Sequence, residues 1–459
     1  MESSLKDRLR EGGAKARTNI LLPLPFWIAS LLTGLVAVAY TKLFGQGERL
    51  LFYLFHWHKW SIFIVTPVCF VAAWWVVKKF AVYAKGSGIP QVMAAVEFAN
   101  PKYDHRVDKL LSIKVLVVKI ISSLLMIVGG GAIGREGPTI QIAGCIFRKV
   151  NQLMPKSFPK ISKRNMIMTG AAAGLAAAFN TPLGGIVFAV EELTKTHISY
   201  FKIAILSAVI IAGLTAQGIL GPYLYLGFPD VSNLSPYIFL GVILVAGIAG
   251  LLGAMMSTLI LKVLKWKAGF KTNGSELLYI LSCALVVAFI AYFLHDSILG
   301  SGKKEMSSLL FSNEKYAGWF TPALRIIGPM LSFTTGASGG IFAPSLSAGA
   351  TIGSLVAHWF SLSPTNTNIM VLSGMVAFLT GVTRSPFTSA ILVLEMTDRH
   401  NVIFHLMIAG IVAVLISSLI DKKSLYDHLK HQYMHDFHKE ERAIELAEEN
   451  KRMDTDKII

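Results

Sequence analysis

Apolar runs alternate with short charged flanks along almost the whole chain. Uncharged stretches long enough to cross about 30 Å of hydrocarbon occur at Ile203 to Leu220, Pro236 to Leu261, Leu277 to Leu294 and Val402 to Ile420, the last interrupted only by His405. Ile326 to Thr383 carries no Asp, Glu, Lys or Arg, so a run of that length must fold back on itself at its Gly, Ser and Pro clusters. The pattern predicts an all-α polytopic membrane protein.

A second regularity is a duplication. Gly134-Arg135-Glu136-Gly137-Pro138-Thr139-Ile140 returns as Gly340-Ile341-Phe342-Ala343-Pro344-Ser345-Leu346, an offset of about 205 residues, each copy opening an apolar segment. At the same offset Thr181-Pro182-Leu183 leads to Val190-Glu191-Glu192, and Ser385-Pro386-Phe387 leads to Leu394-Glu395-Met396. The chain therefore divides into a basic N-terminal segment (1–19), a membrane domain (20–426) and a short charged tail (427–459). The membrane domain holds one repeat at about 20–223, a linker, and a second repeat at about 236–426. The tail is expected to form a solvated helix. Hydropathy leaves open whether the repeats run parallel or inverted. Gly- and Pro-interrupted apolar segments at matching places in two halves are the sequence pointer to a transport site built from broken helices.

Composition agrees with a bilayer setting: 53% of the residues are hydrophobic and 15% charged, with a mean hydropathy of +0.57. The net charge of +16 does not indicate nucleic acid, because Lys and Arg concentrate in flanks such as Lys6 to Arg17, Arg148 to Arg164 and Lys262 to Lys271. Such flanks follow the positive-inside rule, and a basic, uncleaved amino terminus is expected to stay in the cytoplasm. Cys69, Cys145 and Cys283 lie singly in apolar segments and read as small buried hydrophobes, neither a disulfide framework nor a metal site.

The repeated helix starts supply the chemistry. Proline in a first helical turn gives up only an amide that would lack a partner anyway, and the glycines before it let amides crowd toward one point. Free amides at a helix start attract an anion. Four starts are candidates: Gly86-Ser87-Gly88-Ile89-Pro90, Gly137-Pro138, Thr181-Pro182 and Ala343-Pro344. Partial charges suit transport, because a full cation would hold the ion too tightly and would itself cost about 2.5 to 3.5 kcal/mol to insert. Ser87 either adds a hydroxyl donor or simply caps the helix after it. A carboxylate at Glu136 chemically mimics the anion those amides would bind. Deprotonated, it closes the site; protonated, it leaves. The alternative is an ion pair with Arg135.

The segments Gly86-Ser87-Gly88-Ile89-Pro90, Gly134-Arg135-Glu136-Gly137-Pro138 and Gly340-Ile341-Phe342-Ala343-Pro344 resemble, in order and spacing, the three signature segments of the CLC family of chloride channels and chloride/proton antiporters. The resemblance runs from about Ile20 to Ser424-Leu425-Tyr426. It implies that Ser87 and Tyr426 coordinate a central chloride through their hydroxyls, and Ile341 and Phe342 through their amides. It places Gly134, Arg135, Glu136 and Gly137 at the gate and outer anion site, with Glu136 as the gating glutamate. It also implies inverted-topology repeats with broken, tilted helices, both termini in the cytoplasm, a homodimer with one pore per subunit, and no cofactor beyond bound chloride ions. The lack of paired nucleotide-sensing domains after Tyr426 resembles prokaryotic members, and a bacterial inner membrane is expected. Ser87, where nitrate-handling relatives carry proline, favours chloride. Ser338 departs from the proline of many relatives.

A second proton carrier would separate antiporter from channel. Glu191 matches Glu395 in the other half and so takes a role common to both, whereas Glu192 matches Met396. An acid present in one half alone is not demanded by the symmetry. Glu192 is either a proton carrier, as the family's internal proton glutamate would be, or a cap on a helix end beside Lys195. The reading is a chloride/proton antiporter using Glu136 and Glu192 for proton transfer, with a passive chloride channel of the same family as alternative. Lys119 either sets the local potential or snorkels, and His358 reads as a helix-end residue. A rival from another class, an intramembrane serine protease of the rhomboid type built on Gly336-Ala337-Ser338-Gly339 with His358 as base, rests on a four-residue match.

Overall fold

The computed structural model describes residues 21–100, 103–155, 158–159, 161–194, 202–221 and 224–456, so the segment 1–19 lies outside it. Among the described residues every regular element is helical, and the helices fall into two matching series. The first half supplies α1 (Leu24–Trp57), α2 (Ile62–Phe80), α3 (Ile89–Glu97), α4 (Asp104–Leu110), α5 (Ile113–Val128), α6 (Glu136–Leu153), α7 (Lys163–Phe179), α8 (Pro182–Phe188) and α9 (Lys202–Leu220). The second supplies α10 (Ile238–Lys267), α11 (Asn273–Phe293), α12 (Lys303–Phe311), α13 (Thr321–Thr334), α14 (Phe342–Trp359), α15 (Pro364–Thr383), α16 (Pro386–Thr397), α17 (Ile403–Ile420) and the C-terminal α18 (Leu425–Asp456). With α4 and α18 set aside, the two series correspond helix for helix.

Among the described residues eight segments are long and apolar enough to cross a membrane. Their outward faces carry exposed Leu, Ile and Val, such as Leu31, Ile64, Leu214, Leu240 and Leu415, which is the surface hydrocarbon requires. The uncharged stretch 326–383 folds back twice, between α13 and α14 and again between α14 and α15, at the Gly- and Ser-rich breaks. Proline opens α8, α13, α15 and α16 in the first turn, where its missing amide costs nothing. Asn180 and Arg384, just before α8 and α16, both adopt φ near +60° (58° and 63°). The same left-handed turn thus re-aims the chain at the same place in each half.

Small residues let the inner helices touch. A side chain at Gly349 or Gly353 of α14 would meet the Gly374 or Met370 carbonyl of α15, and one at Gly253 of α10 would stand 2.6 Å from the Phe378 oxygen. This is how helices associate where hydrocarbon supplies no hydrophobic drive.

The boundary expected between 426 and 427 falls inside α18, and up to residue 442 the helix is docked on one face rather than fully solvated. Leu429, Tyr433 and Phe437 are buried, Phe437 stacks on Tyr83 at 5.0 Å, and Lys109 pairs with Glu440 at 2.6 Å. Arg106, almost fully buried, pairs with Glu441. The spacing of apolar residues by four under intervening charges makes this a docked face.

Candidate functional site

Three helices from the two halves begin at one place because the loops before them hydrogen-bond to each other. Gly86 donates its amide to Ala337 O (2.8 Å) and accepts from the Gly339 amide (3.1 Å). Gly134 and Gly340 exchange both bonds, at 2.7 and 2.8 Å. These two bridges aim the starts of α3, α6 and α14 at a common centre. Gly88, at φ +105°, turns the chain into α3, and a side chain there would collide with Gln141 Cβ at 2.8 Å. A Cβ at Gly137 would stand 3.0 Å from the Ser87 carbonyl oxygen and run into the Ser87 hydroxyl, so α6 meets the Ser87 loop only through glycine.

Ser87 and Tyr426 are both buried, 1% and 0% exposed. Their hydroxyls neighbour each other, and neither makes a hydrogen bond of normal geometry within the protein. Leaving a buried hydroxyl unpaired costs about 1–3 kcal/mol. Two of them beside three helix starts form a donor set with the chemistry for an anion. The Phe342 ring packs near Tyr426 with centroids 6.0 Å apart, and Ile341 is the N-cap of α14. The Glu136 carboxylate faces its own amide and that of Ala343, and its Oε2 has no partner. Ser87, Gly134, Glu136, Gly137, Ile341, Phe342 and Tyr426 therefore lie around one centre. Arg135 occupies the N-cap position of α6 without a side-chain cap, its guanidinium turned toward the Thr41 and Ala178 carbonyls, 3.4 Å each.

Lys119 does not snorkel. It is fully buried and donates to the Gly86 carbonyl at 2.8 Å, which holds the Ser87 loop in place. Ser122 supports the facing loop by accepting the Ser338 amide at 3.0 Å.

The Thr181-Pro182 start does not join the centre. Its Leu183 and Gly184 amides donate to Glu395 at 3.0 and 2.7 Å. Across the pseudo-symmetry, Glu191 accepts from the Phe387 amide (3.2 Å) and from the Thr388 amide and hydroxyl (2.7 Å each). Each acid caps the other half's helix, so both starts are already satisfied. Glu192 lies one residue on, in a widened turn at Ala189–Thr194. It is 7% exposed, accepts from the Ser385 hydroxyl, and lies within electrostatic range of Tyr426, as does Glu136. Lys195 falls outside the described residues.

Residues 68–418 match the family described as voltage gated chloride channel. The chain belongs to the voltage-gated chloride channel family. Two relatives are H(+)/Cl(-) exchange transporters named ClcA. That of Cronobacter sakazakii is 28% identical over 433 residues, 91% of each chain. That of Yersinia pestis bv. Antiqua (strain Angola) is 29% identical over 445 residues, 91% of this chain and 89% of its own. Among solved structures, the fold is similar to a slow cyanobacterial Cl-/H+ antiporter (TM-score 0.77, 23% identity, 89% of this chain and 97% of that one). It is also similar to a CLC-type fluoride/proton antiporter (TM-score 0.72, 22% identity, 87% and 97%).

Membership of the chloride channel family makes the chain an ion transporter and sets aside the protease reading. Ser338, its proposed nucleophile, donates to the Ala84 carbonyl as part of the loop scaffold, and the exposed His358 packs on Tyr316 at the end of α14. In this family member two cavities flank the centre. One of about 290 Å³ reaches Ser87 and is walled by Lys85, Lys267 and Tyr433. The other, about 310 Å³, reaches Glu136 and contains Arg135, Tyr225, Glu48 and Lys303. Sequence reasoning missed Glu48, Lys303, Tyr225 and Ser385. A signal for the region of Lys303 was available, since Gly300-Ser301-Gly302 repeats Gly86-Ser87-Gly88.

Proposed function

We propose that the protein exchanges chloride for protons across the membrane, with Ser87, Tyr426 and the amides of Ile341 and Phe342 holding the ion and Glu136 as gate. The observation that carries this reading is the convergence of bridged helix starts on two buried, neighbouring hydroxyls and one buried carboxylate. Deprotonated Glu136 occupies amides that an anion would otherwise take; protonation frees the carboxyl to swing out and admits chloride. Protons reach Glu136 through Glu192. The Tyr426 hydroxyl, within range of both acids, lies on that route. Because one carboxylate is proton carrier and chloride competitor, the two fluxes are opposed. The ClcA relatives support exchange over passive conduction, and the Ser87 loop supports chloride. A homodimer with both termini in the cytoplasm belongs to the same reading.

Purified protein in liposomes tests this. An imposed chloride gradient should drive protons uphill, and Glu192→Gln should abolish proton movement while chloride still flows. If the unmodified protein moved chloride with no protons, a passive channel would replace the exchanger.

A further inference from the structure

Gly300-Ser301-Gly302 opens α12 just as Gly86-Ser87-Gly88 opens α3. Both glycine pairs are left-handed, φ +68° and +86° against +62° and +105°. The second half thus carries its own copy of the Ser87 loop, on the cavity that leads to Glu136. The copies differ in what their serine donors meet. The Ser87 hydroxyl has only the Tyr426 hydroxyl beside it, whereas the Ser301 amide and hydroxyl both donate to Glu48 Oε1 at 2.8 Å. One carboxylate oxygen held by a serine amide and hydroxyl at a helix start is chemically a bound anion on a tether.

The surroundings favour negative charge beyond what Glu48 supplies. Arg325 is 1% exposed. It gives Nε to Ser347 at 2.9 Å and Nη1 to the Ser297 and Leu299 carbonyls at 2.8 and 3.0 Å. Its Nη2 has no partner and stands where a Gly302 Cβ would lie, inside the same loop. Lys303, the first residue of α12, rests on the Tyr225 ring at 4.6 Å, and the Arg135 guanidinium lies 5.9 Å from that ring. The lining of the cavity includes Lys42, Arg49, Arg135 and Lys303 against the carboxylates of Glu48 and Glu136. With Arg325 behind the wall, the site keeps a positive excess even while both carboxylates are charged.

We propose that the Ser301 helix start is a second seat for a small monovalent anion such as chloride, and that the Glu48 carboxylate is its tethered occupant, displaced by the ion on its way to Glu136. The proposal rests on the reading of the chain as an anion exchanger, and the two fail separately. The probe is bromide, located by anomalous scattering in crystals of the full chain carrying Glu48→Ala. Bromide should appear within hydrogen-bond distance of the Ser301 amide, and the half-saturating chloride on that face of the liposome should fall by about fivefold or more. Absence of bromide at Ser301 overturns the seat, whatever is bound elsewhere. Bromide at Ser301 with none at Ser87 and Tyr426 keeps the seat and sinks the exchanger reading. Should Glu48→Ala not fold, Glu48→Gln keeps the shape of the contact without its charge. It should shift chloride half-saturation in the same direction, and an unchanged value overturns the proposal.

Discussion

Glu191 and Glu395 hold the two halves together by reaching across to each other's helices, while Glu192, the neighbour of one of them, faces inward to Ser385. A carboxylate that accepts two backbone amides at a helix start is a charge-assisted cap. Glu191→Gln and Glu395→Gln should each cost about 2 kcal/mol, read as a lowered thermal midpoint of the detergent-solubilised protein. The two losses should be similar because the contacts are copies. If neither variant moves the midpoint, the swapped caps do not stabilise the fold. The equivalence of these acids was legible in the repeat, and so was the singular character of Glu192. That each acid crosses to the other half was not, since a repeat tells which residues correspond and not which ones touch. The same limit explains why Thr181-Pro182 read as an anion site: nothing in its own sequence announces that Glu395 fills it.

At the scale of elements, the glycines separate into those that helices need and those they do not. On α10, a methyl at Gly253 would stand 2.6 Å from the Phe378 carbonyl and 3.2 Å from Gly381 Cα, whereas one at Gly247 would meet nothing within 4 Å. Gly253→Ala should destabilise by about 1–3 kcal/mol through overpacking, and Gly247→Ala should be neutral or slightly stabilising. Equal midpoints for the two variants would contradict the close crossing of α10 and α15. The fold-back of the uncharged stretch 326–383 was legible because Gly, Ser and Pro punctuate it at the places where α13, α14 and α15 end and begin. The docking of α18 was hidden: Leu429, Tyr433 and Phe437 are separated by Lys, His and Asp, so charge dominates the local pattern while the buried stripe recurs every fourth residue.

For the whole molecule, α18 carries Tyr426 in its first turn and is tied to the first half further along. Besides the contacts of Arg106, Lys109 and Phe437, Lys430 pairs with Glu97 of α3 at 3.4 Å. Its approach is fixed by Asp421, whose carboxylate meets His428 Nε2 at 2.8 Å and whose carbonyl accepts Arg384 Nε at 3.1 Å. Partial burial pushes the Asp421 carboxyl up, but the Lys423 amide and the His428 ring outweigh it and hold the group below its ordinary value. A carboxyl depressed in the folded state stabilises at pH above its unfolded value, about 3.9, and that contribution is lost as pH falls through the folded value. For a partly exposed pair the size is under about 1 kcal/mol. Hydrogen-exchange protection in the first turns of α18, taken relative to the intrinsic amide rate at each pH, should therefore fall below about pH 4, and Asp421→Asn should remove that acid step. Unchanged acid sensitivity in the variant would assign the effect to another carboxylate.

The paired backbone bridges at Gly86 with Ser338 and at Gly134 with Gly340 have a consequence for biogenesis. Neither half can close these loops alone, since each borrows its ladder partner from the other. A nascent chain halted before Gly340 has inserted its first spans yet offers Gly134 no mate and Glu136 no cradle. The convergence of helix starts is thus assembled only after the ribosome has delivered the second copy.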